Sequence, residues 1–185
     1  MTDEISQRPA KNPFPEVLEA AFHDPENCPI DPVVKLTLSD DPQTYGSALR
    51  LLRNMAEFKR DEAAVFLIGL LMTCGDDWEK RITIVGYLHA VETEACVDVL
   101  LGEVRRVKST NQTRPYLLEV IRTLSGMPPE LVRSKLQALA EDESLTPWVR
   151  TRIEAAMDDL WERPSLDRCR PSVRSAKRRQ SPSPQ

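Results

Sequence analysis

The chain has 185 residues, of which 41% are hydrophobic, 5% aromatic and 29% charged, and its formal net charge is −4 at pH 7. The low aromatic content and the six glycines favour a helical domain over a sheet. No apolar run reaches the roughly 18 residues that suggest a membrane span, and the first residues lack a secretory signal pattern, so we expect a cytoplasmic protein without a transmembrane segment.

Composition divides the chain into three parts. Residues 1–42 are rich in proline and predict an irregular, partly disordered N-terminal cap, within which Pro15–Phe22 and Val33–Leu38 can form short helices. Residues 43–162 predict a helical domain. Residues 163–185 contain seven basic residues and one acidic residue, so residues 1–162 carry a net charge of −10. We predict that residues 163–185 form a basic disordered tail, because they hold too little apolar surface to fold alone.

The first predicted helical hairpin comprises residues 43–58 and 60–73, and Gly75 suits the end of its second helix. That second helix is apolar nearly all round, because Val65 and Met72 extend the apolar character beyond the inward stripe. Two interpretations follow: the proline-rich N-terminal segment packs on the Val65 and Met72 side, or that side binds a partner.

The next three segments are each apolar on one side. Asp76 and Asp77 precede the first segment and supply acceptors for its free backbone N–H groups. Apolar residues spaced three or four positions apart predict three inward helix faces: Trp78, Ile82, Val85 and His89; Cys96, Val99, Leu100, Val104 and Val107; and Leu117, Val120, Ile121 and Leu124. Two further helices are predicted, from Pro129 to Glu141 and from Pro147 onward with Thr146 as the cap.

Corresponding apolar positions then recur at a period of about 35 residues, as at Ile82, Leu117 and Ile153. The run Trp148-Val149-Arg150, followed by apolar residues at Ile153, Ala156 and Leu160, resembles the first helix of short HEAT repeats of the PBS-lyase type. This resemblance covers roughly residues 43–162. It implies an all-α fold, a short α-solenoid of three to four antiparallel helical hairpins, and is nearly silent on activity.

In HEAT-like folds the second helices of the hairpins usually line the concave face. On the predicted second helices, the side opposite the core carries five polar residues: Glu94, Asp98, Arg105, Ser134 and Gln137. The resemblance therefore implies that these residues contact a partner protein, and the leading hypothesis is a non-catalytic interaction scaffold or adaptor.

No set of residues in the sequence predicts catalysis, a metal site or a cofactor site. His89 lies on a predicted apolar face and is interpreted as a structural histidine, and His23 with Cys28 lacks an orienting group and an oxyanion donor. The four cysteines lack metal-ligand spacing and are interpreted as reduced thiols. We therefore expect that the protein is not an enzyme.

The net charge also bears on which other classes of partner the chain can bind. Trp78, Trp148 and Trp161 invite comparison with the DNA-repair branch of HEAT-like proteins, but an acidic body argues against nucleic-acid binding. The basic tail can contact an anionic partner. Two alternative functions stay open: a bilin-lyase-like enzyme or cofactor chaperone with an apolar cleft on the Val65 and Met72 side, and an acidic inhibitor or immunity protein of a basic enzyme.

Overall fold

The computed structural model describes residues 14–162, and in this range the chain is all-α, with nine α-helices and no strand. The helices are α1 (Phe14–His23), α2 (Ile30–Leu36), α3 (Pro42–Glu57), α4 (Asp61–Thr73), α5 (Trp78–Tyr87), α6 (Glu94–Arg106), α7 (Arg114–Gly126), α8 (Pro129–Ala140) and α9 (Pro147–Glu162), and a 3₁₀ turn (Leu88–Ala90) continues α5. The predicted helices are confirmed to within a few residues. The predicted tail, residues 1–13 and the side chains of Leu160 and Trp161 lie outside the described part of the chain.

Side-chain acceptors begin several helices. Asp41 accepts a hydrogen bond from the backbone N–H of Thr44 at 2.8 Å, and Asp77 accepts one from Lys80 at 3.1 Å. These caps satisfy N–H groups that have no partner within the helix. Gly75 follows the end of α4 with a φ of +61°, a conformation in which glycine carries no steric cost.

The helices pack along the chain in a regular order. α3 contacts α5, α5 contacts α7 and α7 contacts α9, and α6 contacts α8. The neighbours α3 and α4, α6 and α7, and α8 and α9 also pack together. One continuous core of buried apolar residues extends from Ala21 to Met157.

The N-terminal helices α1 and α2 pack against α3. Ala21 and Val33 are fully buried there, and the Arg60 guanidinium donates to the backbone carbonyls of Cys28 at 2.6 Å and Pro25 at 3.3 Å. This hydrogen-bonded guanidinium ties the loop between α1 and α2 to the start of α4.

The inward face of α5 differs from the prediction. Arg81, Ile84 and Val85 are buried, whereas Trp78 and Ile82 are only half-buried. His89 is exposed in the 3₁₀ turn, and Leu88 takes the buried position. The interpretation of His89 as a residue of the apolar face was therefore wrong: the chain tightens into a 3₁₀ turn at Leu88, which shifts the register of the last turn.

None of the described helices is long and apolar enough to cross a membrane.

Candidate functional site

All five predicted contact residues are exposed, on α6 and α8. Glu94 and Asp98 meet at Lys135 of α8, whose Nζ lies 2.7 Å from Asp98 Oδ1 and 3.7 Å from Glu94 Oε1. The hydrogen bond to Asp98 is the main cause that raises the pKa of Lys135. The structure thus brings two of the predicted residues together around a lysine that the sequence did not single out.

The other predicted residues lie apart from this pair. Arg105 Nε lies 3.6 Å from Asp142 Oδ2 in the loop after α8, and Gln137 donates to Glu141 at 3.3 Å. Ser134 is exposed on α8. In each of these ion pairs one side chain is more than half exposed to water, at 51% for Arg105 and 63% for Asp98. Such pairs contribute at most about 1 kcal/mol each, so these side chains can exchange partners.

A second exposed feature is apolar and belongs to α4. Val65 and Met72 are 69% and 63% exposed, and neither α1 nor α2 covers them. Gly69 lies between them, and a Cβ built there meets no atom within 4 Å. Of the two interpretations of this side of α4, cover by the N-terminal segment does not hold for α1 and α2, which pack on α3 instead.

Val65 and Met72 together form an apolar strip on α4. Relative to the buried residues of its helix, Val65 lies where the predicted contact residues lie on α6 and α8. Val65 follows buried Ala63 by two positions, just as Asp98 follows Cys96 and Ser134 follows Val132, each of which is buried. The three helices thus bury and expose corresponding positions. The exposed residue is apolar on α4 and polar on α6 and α8. Acidic residues flank the apolar strip: Asp61 and Glu62 at the start of α4, and Asp76 in the turn after it.

A buried polar network joins α5, α6 and α7 and was not predicted from the sequence. Arg81 of α5 is 3% exposed and forms an ion pair and a hydrogen bond with Glu103 of α6, which is 5% exposed. The Tyr116 hydroxyl of α7 donates to Glu103 Oε2 at 2.6 Å, and Arg106 donates to the same oxygen at 2.8 Å. One carboxylate therefore links three successive helices.

The surroundings keep this network charged. Burial disfavours the carboxylate, but hydrogen bonds from Arg106, Tyr116 and Arg81 hold the pKa of Glu103 below its ordinary value. Burial, together with the hydrogen bond to Glu103, raises the pKa of Tyr116. The Arg81 guanidinium also donates to the Gly75 carbonyl at 2.7 Å and lies 5.1 Å from the Tyr116 ring centroid. Because its three central groups are buried and occupied by one another, the network holds the fold together.

The histidine and cysteine candidates do not assemble into a site. His89 Nδ1 lies 2.6 Å from the Gly86 carbonyl, within its own turn. His23 is exposed, whereas Cys28 is buried and burial raises the pKa of its thiol, which disfavours the thiolate. Within residues 14–162, no group of three His, Cys, Asp or Glu residues has a geometry that can hold a metal ion.

A groove of about 340 Å³ lies between α1 and α3. Its lining residues are Phe22, Ser47, Arg50, Leu51, Arg53, Asn54 and Glu57. It lies away from the Val65 and Met72 strip on which the cofactor-chaperone alternative was based, and five of its seven lining residues are polar or charged.

Comparison of the chain with protein-family models, with curated proteins and with solved structures finds no match.

Proposed function

We propose that the protein is a non-catalytic adaptor that binds another protein on the outer face of α4, α6 and α8. In this proposal the helices form a short HEAT-like α-solenoid: α3, α5, α7 and α9 are the first helices, and α4, α6 and α8 are the second helices. The contacts of α5 with α7, α7 with α9, and α6 with α8 support this arrangement.

One observation carries the proposal: the Val65 and Met72 side chains are exposed on a helix whose other apolar residues are packed. Single exposed apolar residues are common on protein surfaces. Here two of them lie two turns apart on one helix, on either side of Gly69, whose missing side chain allows close approach of another backbone. Exposed apolar side chains on both sides of a glycine favour contact with an apolar side chain of a partner protein over contact with water.

The charges around the strip indicate the chemistry of the partner. Asp61, Glu62 and Asp76 lie at its two ends, and the α6 and α8 part of the surface presents carboxylates of both Glu94 and Asp98. We therefore expect the partner to present apolar side chains flanked by lysine or arginine. Burial of the exposed parts of Val65 and Met72 would contribute about 2–4 kcal/mol, which corresponds to roughly 30- to 1000-fold in Kd.

A crosslinking experiment tests this function. A photoreactive amino acid replaces Met72 in the full chain, a crosslinked protein is identified in the native host, and that protein is then purified and titrated calorimetrically against the unmodified chain. The double variant Val65→Asp and Met72→Asp should weaken the measured Kd at least 30-fold. The control Leu118→Asp changes an apolar residue that is 41% exposed on α7 and should leave Kd within twofold.

Three results would contradict the proposal: no purified protein binds the chain directly, the double variant binds as well as the unmodified chain, or Leu118→Asp weakens binding as much as the double variant does. Thermal melts accompany each variant. Substitution at exposed positions is expected to change stability by about 0.5 kcal/mol or less, so a large loss of stability would show that the two side chains are structural.

A further inference from the structure

A cluster of arginines gathers around one tryptophan where α7 and α9 begin. Arg114 is the first residue of α7, and Trp148 is the second residue of α9. The guanidinium carbon of Arg114 lies 5.1 Å from the centroid of the Trp148 ring, and that of Arg152 lies 5.8 Å from it. Two cations therefore share one indole ring, an arrangement that holds them by cation–π attraction.

The two arginines beside Trp148 form no ion pair with a described side chain. No described carboxylate lies within 4.0 Å of the guanidinium nitrogens of Arg114 or Arg152. Within residues 14–162, ion pairs engage six other arginines: Arg53, Arg60, Arg81, Arg105, Arg106 and Arg122. The two charges at Trp148 thus lack a direct ion-pair partner among the described residues.

The two guanidinium groups also repel each other. Both lie close to the centroid of one indole ring, at 5.1 Å for Arg114 and 5.8 Å for Arg152. Two like charges held beside one ring are an arrangement that a bound oxyanion would stabilise.

We propose that Arg114 and Arg152, held beside Trp148, bind an oxyanion group, a carboxylate or a phosphate, that a short acidic peptide segment presents. A guanidinium stacked on a ring can still present an N–H edge to solvent, and such edges match carboxylate and phosphate oxygens in pairs. Arg114 Nη1 donates to Asn111 Oδ1 at 3.3 Å, and an anion can replace this exposed hydrogen bond. The positive ends of the α7 and α9 dipoles lie at the same place and add to the attraction.

The charge of the rest of the protein selects a short peptide. Residues 1–162 carry a net charge of −10, so a long polyanion such as duplex nucleic acid is repelled beyond the immediate cluster. A peptide with one or two acidic groups contacts only the arginines. This site is separate from the surface of α4, α6 and α8, and the inference does not depend on the adaptor function.

The test is an NMR titration of the ¹⁵N-labelled full chain. The indole N–H signal of Trp148 is assigned from Trp148→Phe and is followed with four probes: a hexapeptide with two glutamates, a hexapeptide with one phosphoserine, inorganic phosphate and a 16-base-pair DNA duplex. We expect both peptides to shift the Trp148 signal while leaving that of Trp78 in place, and the binding to weaken as NaCl is raised. A comparison of the two peptides distinguishes carboxylate from phosphate as the preferred group.

Charge variants locate the binding. The double variant Arg114→Gln and Arg152→Gln should weaken peptide binding at least tenfold, and Arg152→Gln alone, at an exposed position, should weaken it at least threefold if the double variant does not fold. The control Arg133→Gln removes the same charge from an exposed position on α8 and should stay within twofold. The inference is overturned if neither peptide shifts Trp148, if only free phosphate does, if DNA binds more tightly than the peptides, or if Arg133→Gln causes an equal loss.

Discussion

Replacing Glu103 by glutamine should destabilise the fold strongly, because the change keeps the shape of the side chain and removes its charge. Arg81 is 3% exposed, and Glu103 supplies its countercharge. A buried charge left without its partner typically costs about 3–5 kcal/mol. The Gly75 carbonyl still accepts from Arg81 at 2.7 Å, which places the expected loss near the lower end, about 3 kcal/mol.

The loss is measured by urea unfolding followed by circular dichroism, with the m value checked for constancy. For a helical domain of this length, about 3 kcal/mol corresponds to a fall in Tm of roughly 10 °C. The control Glu57→Gln breaks an exposed ion pair with Arg53, whose side chain is 38% exposed, and should cost less than about 1 kcal/mol.

The double variant Arg81→Met and Glu103→Leu removes both charges and should cost less than the sum of the two single changes, with a coupling energy of about 2 kcal/mol or more.

The pH dependence of this stabilisation has a defined sign. Because the folded pKa of Glu103 lies below its ordinary value, its contribution is present above about pH 4.5 and is lost as pH falls through the folded pKa. The gap between the unmodified chain and Glu103→Gln should therefore narrow below pH 4. A loss smaller than 1 kcal/mol at pH 7, or a gap that widens in acid, would refute the reasoning.

Three further predictions concern Lys59, Cys96 and the pair of Asp98 and Lys135. Lys59 follows α3 with a φ of +62°, a conformation that costs about 1–2 kcal/mol for a residue with a Cβ. Lys59→Gly should therefore raise the free energy of unfolding by about 0.5 kcal/mol, once the entropy that glycine loses on folding is subtracted, and a lower urea midpoint would contradict this. Burial raises the pKa of Cys96 to about 12 from 9.0, so the thiol ionises at a lower pH in the unfolded chain than in the folded one. The free energy of unfolding should therefore fall by about 2 kcal/mol between pH 9 and pH 10.5, and Cys96→Ala should remove this fall. If the free energy of unfolding fell equally with pH in the two chains, the thiol would be hydrated in the folded state. Asp98→Lys and Lys135→Asp should each cost about 1 kcal/mol or less, and the double exchange should restore most of the loss, whereas additive losses would show that the pair does not interact in solution.

Local patterns in the sequence predicted most helices and one inward face completely. Leu117, Val120, Ile121 and Leu124 are all buried as expected, because their i, i+3, i+4 and i+7 spacing admits a single apolar side. α4 was ambiguous for the opposite reason: apolar residues occur on all its sides, so periodicity cannot say which of them a neighbour covers. Only the packing of α1 and α2 on α3 decides this.

Long-range pairing accounts for what the sequence did not reveal. Arg81 looks like a surface residue on its own helix, and its partners Glu103 and Tyr116 lie 22 and 35 positions away. Lys135 is likewise 37 positions from Asp98. Residue types at such separations carry no signal in a single sequence, because the sequence does not show which helices meet. The five predicted contact residues were correctly placed on exposed helix faces, and their role in binding stays a prediction.

The link among Arg81, Glu103 and Tyr116 also determines how the molecule opens. In a helical domain, terminal helices can exchange backbone hydrogens with water while the rest stays folded. α5, α6 and α7 cannot do so separately, because the release of any one of them leaves a charge or a hydroxyl of the other two unpaired in the core. Amide hydrogen exchange in these three helices should therefore require the unfolding of all three at once, whereas α1 opens independently of them. The central helices behave as one cooperative unit to which the terminal helices are attached.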